Sequence, residues 1–168
     1  MAGARSDLIL RPLTEADLPE LERILATPEV ARVWDDGPPW EDDPDSTHLT
    51  IVSGGLVAGL IQYAEEQAAK YRHASIDIFL DPAFHNRGLG TKAVQLLVRH
   101  LIDDRGHHRI TIDPAADNAA AIRCYEKAGF RPVGIMRRYE RDMATGEWHD
   151  GLLMELVGAP PREAGGAP

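Results

Sequence analysis

The stretch that decides the fold runs from Ser75 to Phe130 and reads SIDIFLDPAFHNRGLGTKAVQLLVRHLIDDRGHHRITIDPAADNAAAIRCYEKAGF. An alternating strand at 75–80 leads into a glycine-rich loop, and apolar residues spaced as on one face of a helix follow it. A second strand, at 109–113, is followed by a helix from Asn118 to Ala128 with Gly129 as its cap. This order predicts an anion cradle between the first strand and the first helix.

The loop HNRGLGT at 85–91 carries the signal for that cradle. Its glycines let the backbone approach a ligand, and the helix that follows directs free N–H groups and its positive dipole end to the same place. Arg87 adds a charged donor for a phosphate. The loop therefore predicts a pyrophosphate site, while a tight connection without a ligand remains an alternative.

Composition sets limits on the rest. We expect one domain at 1–157, large enough to bury a core, and a disordered tail at 158–168 that is rich in Ala, Pro and Gly. One cysteine and no long apolar run indicate a cytoplasmic protein without a disulfide framework. A net charge of −9 disfavours nucleic acid and membrane partners and favours a small cationic one. The chain alone does not distinguish a monomer from a homodimer.

Local patterns predict further helices and strands outside the decisive stretch. Thr14 and Asp17 offer a capping pair for a helix, and Gly54-Gly55 marks a hairpin. The expected strands are 8–11, 49–52, 56–62, 131–139 and 152–157, and the expected helices begin near Leu18 and at Pro28, with a loop from Trp34 to Trp40.

A rival interpretation of the glycine loop is a dinucleotide site. Gly88 to Ala93 fits the fingerprint G-x-G-x-x-A, with Asp113 about 25 residues after Gly88. A doubly wound fold needs further strand–helix–strand units, however, and only one helix and two strands follow Asp113. The dinucleotide site is therefore the weaker interpretation of this loop.

The chain resembles the GCN5-related N-acetyltransferase (GNAT) superfamily over residues 7–157. The resemblance implies an α/β (α+β) fold with a mixed, mostly antiparallel, splayed sheet of about six or seven strands flanked by about four helices. It implies acetyl-CoA as cofactor and direct acetyl transfer to an amine; His85 stands where the family more often has Gln or Arg. The residues that carry the resemblance are Asn86, Arg87, Gly88, Leu89, Gly90, Asn118, Ala121, Tyr125, Lys127, Gly129 and Phe130.

Within the superfamily, the run 111–130 is similar to the aminoglycoside 6'-N-acetyltransferases, which also have acidic residues at the positions of Asp77 and Asp150. The similarity implies that Asp77 is the catalytic carboxylate and that Asp113 and Asp150 line the aminosugar site. The implied activity is acetylation of the 6'-amine of aminoglycoside antibiotics in a ternary complex, and hence resistance. The residues expected at acetyl-CoA are Ile78, Phe79, Leu80, His85, Asn86, Arg87, Gly88, Leu89, Gly90, Thr91, Asn118, Ala121, Tyr125 and Lys127.

The acceptor could instead be a protein N-terminus, a lysine side chain or a small polyamine, because acidic loops serve those cations equally well. Each of these acceptors requires a general base, because an ammonium ion with a pKa of about 10 must lose a proton before it can attack the thioester. Asp77 is the candidate base, and a backbone N–H of its strand is the candidate donor to the thioester oxygen. Tyr125, two helical turns after Asn118, is the candidate donor to the departing thiolate, with core packing as the alternative.

Two tryptophans flank an acidic, proline-rich loop. We expect Trp34, Asp35, Asp36 and Trp40 to line the aminosugar site, with indole faces against the sugar and carboxylates at the amines. The alternatives are that the tryptophans pin the loop to the core and that the carboxylates only solvate it. Cys124 lies in a helical stripe without a nearby histidine, which indicates a small buried filler, and no histidine spacing predicts a metal.

Overall fold

The computed structural model describes residues 7–34, 37–43 and 45–158, and its strands form one sheet of seven. In chain order the strands are β1 Leu8–Pro12, β2 Thr47–Ser53, β3 Leu56–Glu66, β4 His73–Leu80, β5 Arg109–Ile112, β6 Arg131–Arg141 and β7 Trp148–Val157. The order across the sheet is β1-β2-β3-β4-β5-β7-β6, so β4, which carries Asp77, lies at the centre and β6 lies at an edge.

Five α-helices accompany the sheet in the described part of the chain. They are α1 Leu18–Leu25, α2 Pro28–Ala31, α3 Pro39–Asp42, α4 Leu89–Asp103 and α5 Ala119–Ala128, with single 3-10 turns at Glu15–Asp17 and Pro82–Phe84. The predicted fold class is confirmed. One local expectation is wrong: the loop predicted up to Trp40 contains the start of α3, because Pro39 takes the first helical position, where its missing N–H costs little.

The sheet splays open at its centre. β4 and β5 are the parallel pair, and they are joined only at Ala74↔Ile110 and Ser75↔Thr111, whereas every other pair of neighbours is antiparallel. From residue 76 onward, the edge of β4 that faces β5 has no strand partner in the described chain. A mostly antiparallel sheet with one parallel pair is not a doubly wound fold, so the dinucleotide hypothesis loses its structural basis.

Hydrophobic clusters cover both faces of β4. Ile76 belongs to the larger cluster, which packs under α4 and α5, and Phe79 belongs to a smaller one under α1 and α2. Asp77 lies between them in sequence and is exposed. The alternation predicted for 75–80 is confirmed, and it fixes the catalytic candidate on a strand that is anchored on both sides.

The predicted division into a domain and a tail remains a prediction, because the segment from 159 lies outside the described residues. Among the described residues, no helix is long and apolar enough to cross a membrane.

Candidate active site

A cleft of about 340 Å³ opens where β5 leaves β4. Every residue expected at acetyl-CoA lines it except Arg87, whose guanidinium lies 5.7 Å from the ring centroid of Phe84. The lining also includes residues that the sequence did not indicate: Glu29, Val30, Val33, Phe84, Ala120, Arg123 and Cys124. The first three come from α2 and its end, whose position against the cleft depends on tertiary packing.

The glycine loop delivers a helix N-terminus to this cleft. Gly88 is the N-cap of α4 with φ +72°, a left-handed conformation that glycine adopts at little cost. The first helical hydrogen bond runs from the N–H of Lys92 to Gly88 O at 3.2 Å, so the N–H groups of Leu89, Gly90 and Thr91 precede it. Three backbone donors and a helix dipole therefore point toward an anionic ligand.

Side chains tie this loop to its surroundings. His85 donates from Nε2 to Leu80 O at 3.0 Å, which closes the loop onto the end of β4. Asp81 accepts from the N–H of Ala83 at 2.8 Å and pairs with Arg23 of α1. Burial of Asp81 opposes ionisation, but these hydrogen bonds and the Arg23 charge lower its pKa. The loop is thus braced from both β4 and α1.

Helix α5 forms the opposite wall. Asn118 caps it by accepting the N–H of Ala121 at 3.2 Å. Tyr125, two turns on, is only 7% exposed; it packs in the main core, as the alternative expected, and it also lines the cleft. Its role as a donor to the thiolate stays a prediction. Burial raises its pKa well above the ordinary value, and the charges of Asp77 and Asp113 act in the same direction. The phenol is therefore protonated at neutral pH.

Asp77 and Asp113 lie beside the cleft rather than in its lining, and both are near Tyr125 and Tyr139. The charges of both carboxylates raise the pKa of Tyr125 and of Tyr139. Asp77 Oδ1 accepts the N–H of Ile78 at 2.8 Å, which identifies this N–H as a donor beside the candidate base. The pairing of β4 with β5 ends at Ser75, so the two acids stand where the strands diverge.

Sequence reasoning missed Tyr139. Its hydroxyl donates to Asp113 Oδ2 at 2.5 Å, and this bond, followed by burial, raises its pKa to about 12. Asp150, expected to line the aminosugar site, accepts the N–H of Arg138 at its Oδ1, 2.8 Å away, and does not line the cleft. The only signal for Tyr139 in the sequence was an aromatic residue in a polar strand, and this signal does not indicate toward which neighbour the side chain points.

The tryptophans lie against the core rather than along the cleft. Trp34 contacts Phe79 edge to face, with ring centroids 5.0 Å apart, and both indoles pack on the smaller cluster. This packing favours the pinning alternative for both tryptophans. Asp35 and Asp36 lie outside the described residues.

Cys124 fills the contact between α4 and α5. A Cβ at Gly90 would lie 3.2 Å from its sulfur, the Thr91 hydroxyl is 3.4 Å away, and burial raises the pKa of the thiol. These contacts are those of a packing residue rather than a thiolate nucleophile. The described residues contain no group of three or more His, Cys, Asp or Glu that could hold a metal ion.

The splayed sheet and the anion-binding end of this cleft are the features of an acyltransferase that uses coenzyme A. The model of the acetyltransferase (GNAT) family matches residues 11–130, and the chain therefore belongs to that family. The resemblance inferred from the sequence is confirmed.

Individual relatives narrow the comparison. Over 50 residues the chain is 52% identical both to the kanamycin resistance protein of Rhizobium radiobacter and to aminoglycoside N(6')-acetyltransferase type 1 of Klebsiella pneumoniae. The matched segment is 30% of this chain, and it spans only 46% of the first relative and 25% of the second. The ribosomal protein bS18-alanine N-acetyltransferase of Salmonella typhimurium is 39% identical over 84 residues, which are 48% of this chain and 52% of that protein.

A solved structure extends the likeness to nearly the whole chain. The aminoglycoside acetyltransferase AAC(6')-Ib, in complex with coenzyme A, matches with a TM-score of 0.72 at 26% identity, covering 89% of this chain and 94% of that one.

Proposed function

We propose that this protein transfers the acetyl group of acetyl-CoA to the 6'-amine of aminoglycoside antibiotics and thereby confers resistance. The observation that carries the proposal is the pair of carboxylates, Asp77 and Asp113, beside a cleft that ends in a helix N-terminus. The similarity to aminoglycoside acetyltransferases supports the acceptor, although the sequence matches span less than half of each of those two relatives.

The cleft fits acetyl-CoA. Helix α4 offers three backbone N–H groups to the pyrophosphate, and Arg123 and Lys127 add positive charge along α5. Leu80 and Val30 supply apolar surface for the pantetheine arm. Solved relatives hold coenzyme A, and the family's activity requires it, so the cofactor expected from the sequence is confirmed.

The residues divide the reaction between them. Bound acetyl-CoA supplies a thioester carbonyl as the electrophile. Asp77 pairs with the acceptor ammonium and accepts one proton from it, directly or through water, which leaves a neutral amine to attack. The N–H of Ile78 donates to Asp77 in the free enzyme, and in this proposal it donates to the thioester oxygen once the carboxylate engages the ammonium.

The new C–N bond replaces the C–S bond, and Tyr125 donates a hydrogen bond to the departing sulfur. The remaining amine proton goes to solvent as the amide forms, and Asp77 also returns its proton to solvent. Asp113 holds a second cationic group of the acceptor and so sets which amine reaches Asp77. The thiolate of coenzyme A takes up one proton from solvent after it departs, so the net products are the acetylated acceptor, the free thiol and one proton, and the enzyme is unchanged.

The test compares two aminoglycosides that differ at one position: neomycin has an amine at 6' and paromomycin a hydroxyl. With purified protein and acetyl-CoA, release of free thiol is followed with a thiol-reactive dye, and the product is mapped by NMR. We expect rapid release with neomycin and kanamycin and little with paromomycin. Equal release with neomycin and paromomycin would refute the 6' assignment.

A second candidate acceptor is a protein N-terminus, which the similarity to the bS18-alanine N-acetyltransferase favours. A peptide beginning with alanine, with spermidine and a lysine-containing peptide alongside, is therefore included in the same assay. Release with a peptide alone would move the function to protein acetylation. Release with aminoglycosides alone would leave the first candidate standing.

A further inference from the structure

The pairing of β6 with β7 is interrupted near the proposed acceptor site, between Met136 and Glu140. Met136 pairs with Gly151 and Glu140 with His149, so the three residues 137–139 stand opposite Asp150 alone. Arg138 adopts φ +49°, and its N–H donates to Asp150 Oδ1 at 2.8 Å. The carboxylate of Asp150 therefore holds a bulge in the edge strand.

The bulge directs Tyr139 across β7. A Cβ placed on Gly151 would lie 2.9 Å from Cδ1 of Tyr139, so the ring occupies the space that the glycine leaves. From there the hydroxyl reaches Asp113, the residue that follows β5, at 2.5 Å. The contact spans three neighbouring strands, β6, β7 and β5.

We propose that Tyr139 is a positioning residue for the acceptor: resting on Gly151, it holds Oδ2 of Asp113 and leaves Oδ1 to bind a cationic group of the substrate. The inference rests on the proposed function, because it assumes an amine acceptor between Asp77 and Asp113. It extends that function by assigning Asp150 and Gly151 to the support of Tyr139, and it describes an acceptor with two cationic groups, one for each carboxylate.

Packing alone does not explain this contact. Tyr139 is 50% exposed, so its hydroxyl could be solvated by water if Asp113 did not accept it. The side chain lies on an edge strand that is exposed along nearly all of its length. A charge-assisted hydrogen bond of this length fixes the orientation of a carboxylate that would otherwise rotate.

The test separates KM from kcat. In Tyr139→Phe we expect the acceptor KM to rise about tenfold, since one hydrogen bond to a charged group is lost, while kcat and the acetyl-CoA KM stay within about twofold. Gly151→Ala keeps the hydroxyl but displaces the ring, and it should raise the acceptor KM in the same direction. The control is Tyr71→Phe, an exposed tyrosine of the turn before β4. An unchanged acceptor KM in Tyr139→Phe, or an equal change in Tyr71→Phe, would overturn the proposal.

A second readout does not depend on which acceptor is used. The difference in tyrosinate absorbance between the parent and Tyr139→Phe, read just after a jump in pH, reports the ionisation of Tyr139, with an expected pKa of about 12. In Asp113→Asn this pKa should fall toward the ordinary value of about 10. If the pKa of Tyr139 is the same in the parent and in Asp113→Asn, the hydrogen bond between Tyr139 and Asp113 is disproved.

The kinetic comparison uses whichever amine the parent acetylates, so failure with aminoglycosides refutes the proposed function without deciding this inference. If none of neomycin, spermidine and the peptides is acetylated, the absorbance result decides whether Tyr139 positions Asp113.

Discussion

The proposed site has two halves, one for the cofactor and one for the acceptor, and they present different groups to their ligands. The cofactor half, formed by the loop 85–91 and the start of α5, offers backbone N–H groups whose positions depend on Gly88 and on the Asn118 cap. The proposed acceptor half lies beside the cleft and consists of the carboxylates of Asp77 and Asp113, and Asp113 accepts a hydrogen bond from the side chain of Tyr139. The cofactor half should therefore be sensitive to backbone conformation, and the acceptor half to charge.

Asp77→Asn should produce the largest fall in activity and should leave the binding of acetyl-CoA unchanged. Loss of a general base lowers kcat roughly 10²- to 10⁴-fold. The Kd of acetyl-CoA, measured by calorimetry, should not change, because Asp77 lies outside the pyrophosphate contacts. Asp103→Asn, at the exposed far end of α4, is the control and should retain parental kcat. A parental kcat in Asp77→Asn would remove this residue from the mechanism.

A carboxylate outside both halves should control stability in acid. Asp17, 3% exposed, accepts two bonds from Arg11 at 2.6 Å and others from Thr14 and Thr50, and the bonds from Arg11 above all hold its pKa well below the ordinary value. A lowered folded-state pKa adds stability above the unfolded value of about 4, and this stability is lost as pH falls below it.

We therefore expect Asp17→Asn to lower the free energy of unfolding by about 2 kcal/mol at pH 7 and by clearly less at pH 3. Urea denaturation at both pH values measures the difference. A constant gap between parent and variant would show that the Asp17 charge is not responsible. Asp103→Asn, at the exposed end of α4, serves as the matched carboxylate control in the same denaturation series.

The difference between the cofactor half and the acceptor half also explains which parts of the site could be predicted from the sequence. The cofactor half comes from one continuous stretch with local signals: a strand, glycines at a helix start, an asparagine cap and a glycine end, all of which the structure contains. The acceptor half depends on the pairing of β6 with β7, where three residues stand opposite one. No local pattern predicts a bulge of that kind, so Tyr139 was missed.

Side-chain direction also lies beyond the sequence. Trp34 turns toward Phe79, a residue 45 positions later that it meets only in the folded chain. Arg87 turns toward Phe84, which ends the 3-10 turn before the loop, and this contact depends on the geometry of the loop rather than on its composition. A pattern of residues can indicate which positions surround a cleft, but these contacts decide which side chains enter it.

Gly88→Ala tests the backbone dependence of the cofactor half. Alanine at φ +72° costs about 1–2 kcal/mol, and relaxing that strain would displace the N–H groups of α4. We expect acetyl-CoA to bind roughly fivefold to tenfold more weakly, with little change in the acceptor KM. Gly106→Ala is a matched control, since Gly106 has φ +71° beyond the other end of α4 and its substitution should cost stability alone. Equal loss of acetyl-CoA affinity in both variants would contradict the assignment.

Tyr125→Phe should have the smallest effect, although this residue sits where the two halves meet. Burial raises the pKa of its phenol well above 10, whereas a thiol has a pKa of about 8.5, so full proton transfer from Tyr125 to the departing thiolate is unfavourable. The thiolate can leave unprotonated, and the phenol contributes one hydrogen bond to it. We therefore expect kcat to fall about threefold to tenfold, with both KM values unchanged. Tyr63→Phe, a buried tyrosine of the same core away from the cleft lining, controls for the loss of a buried hydroxyl. A fall in kcat comparable to that of Asp77→Asn would instead make Tyr125 an obligatory acid for the departing thiolate.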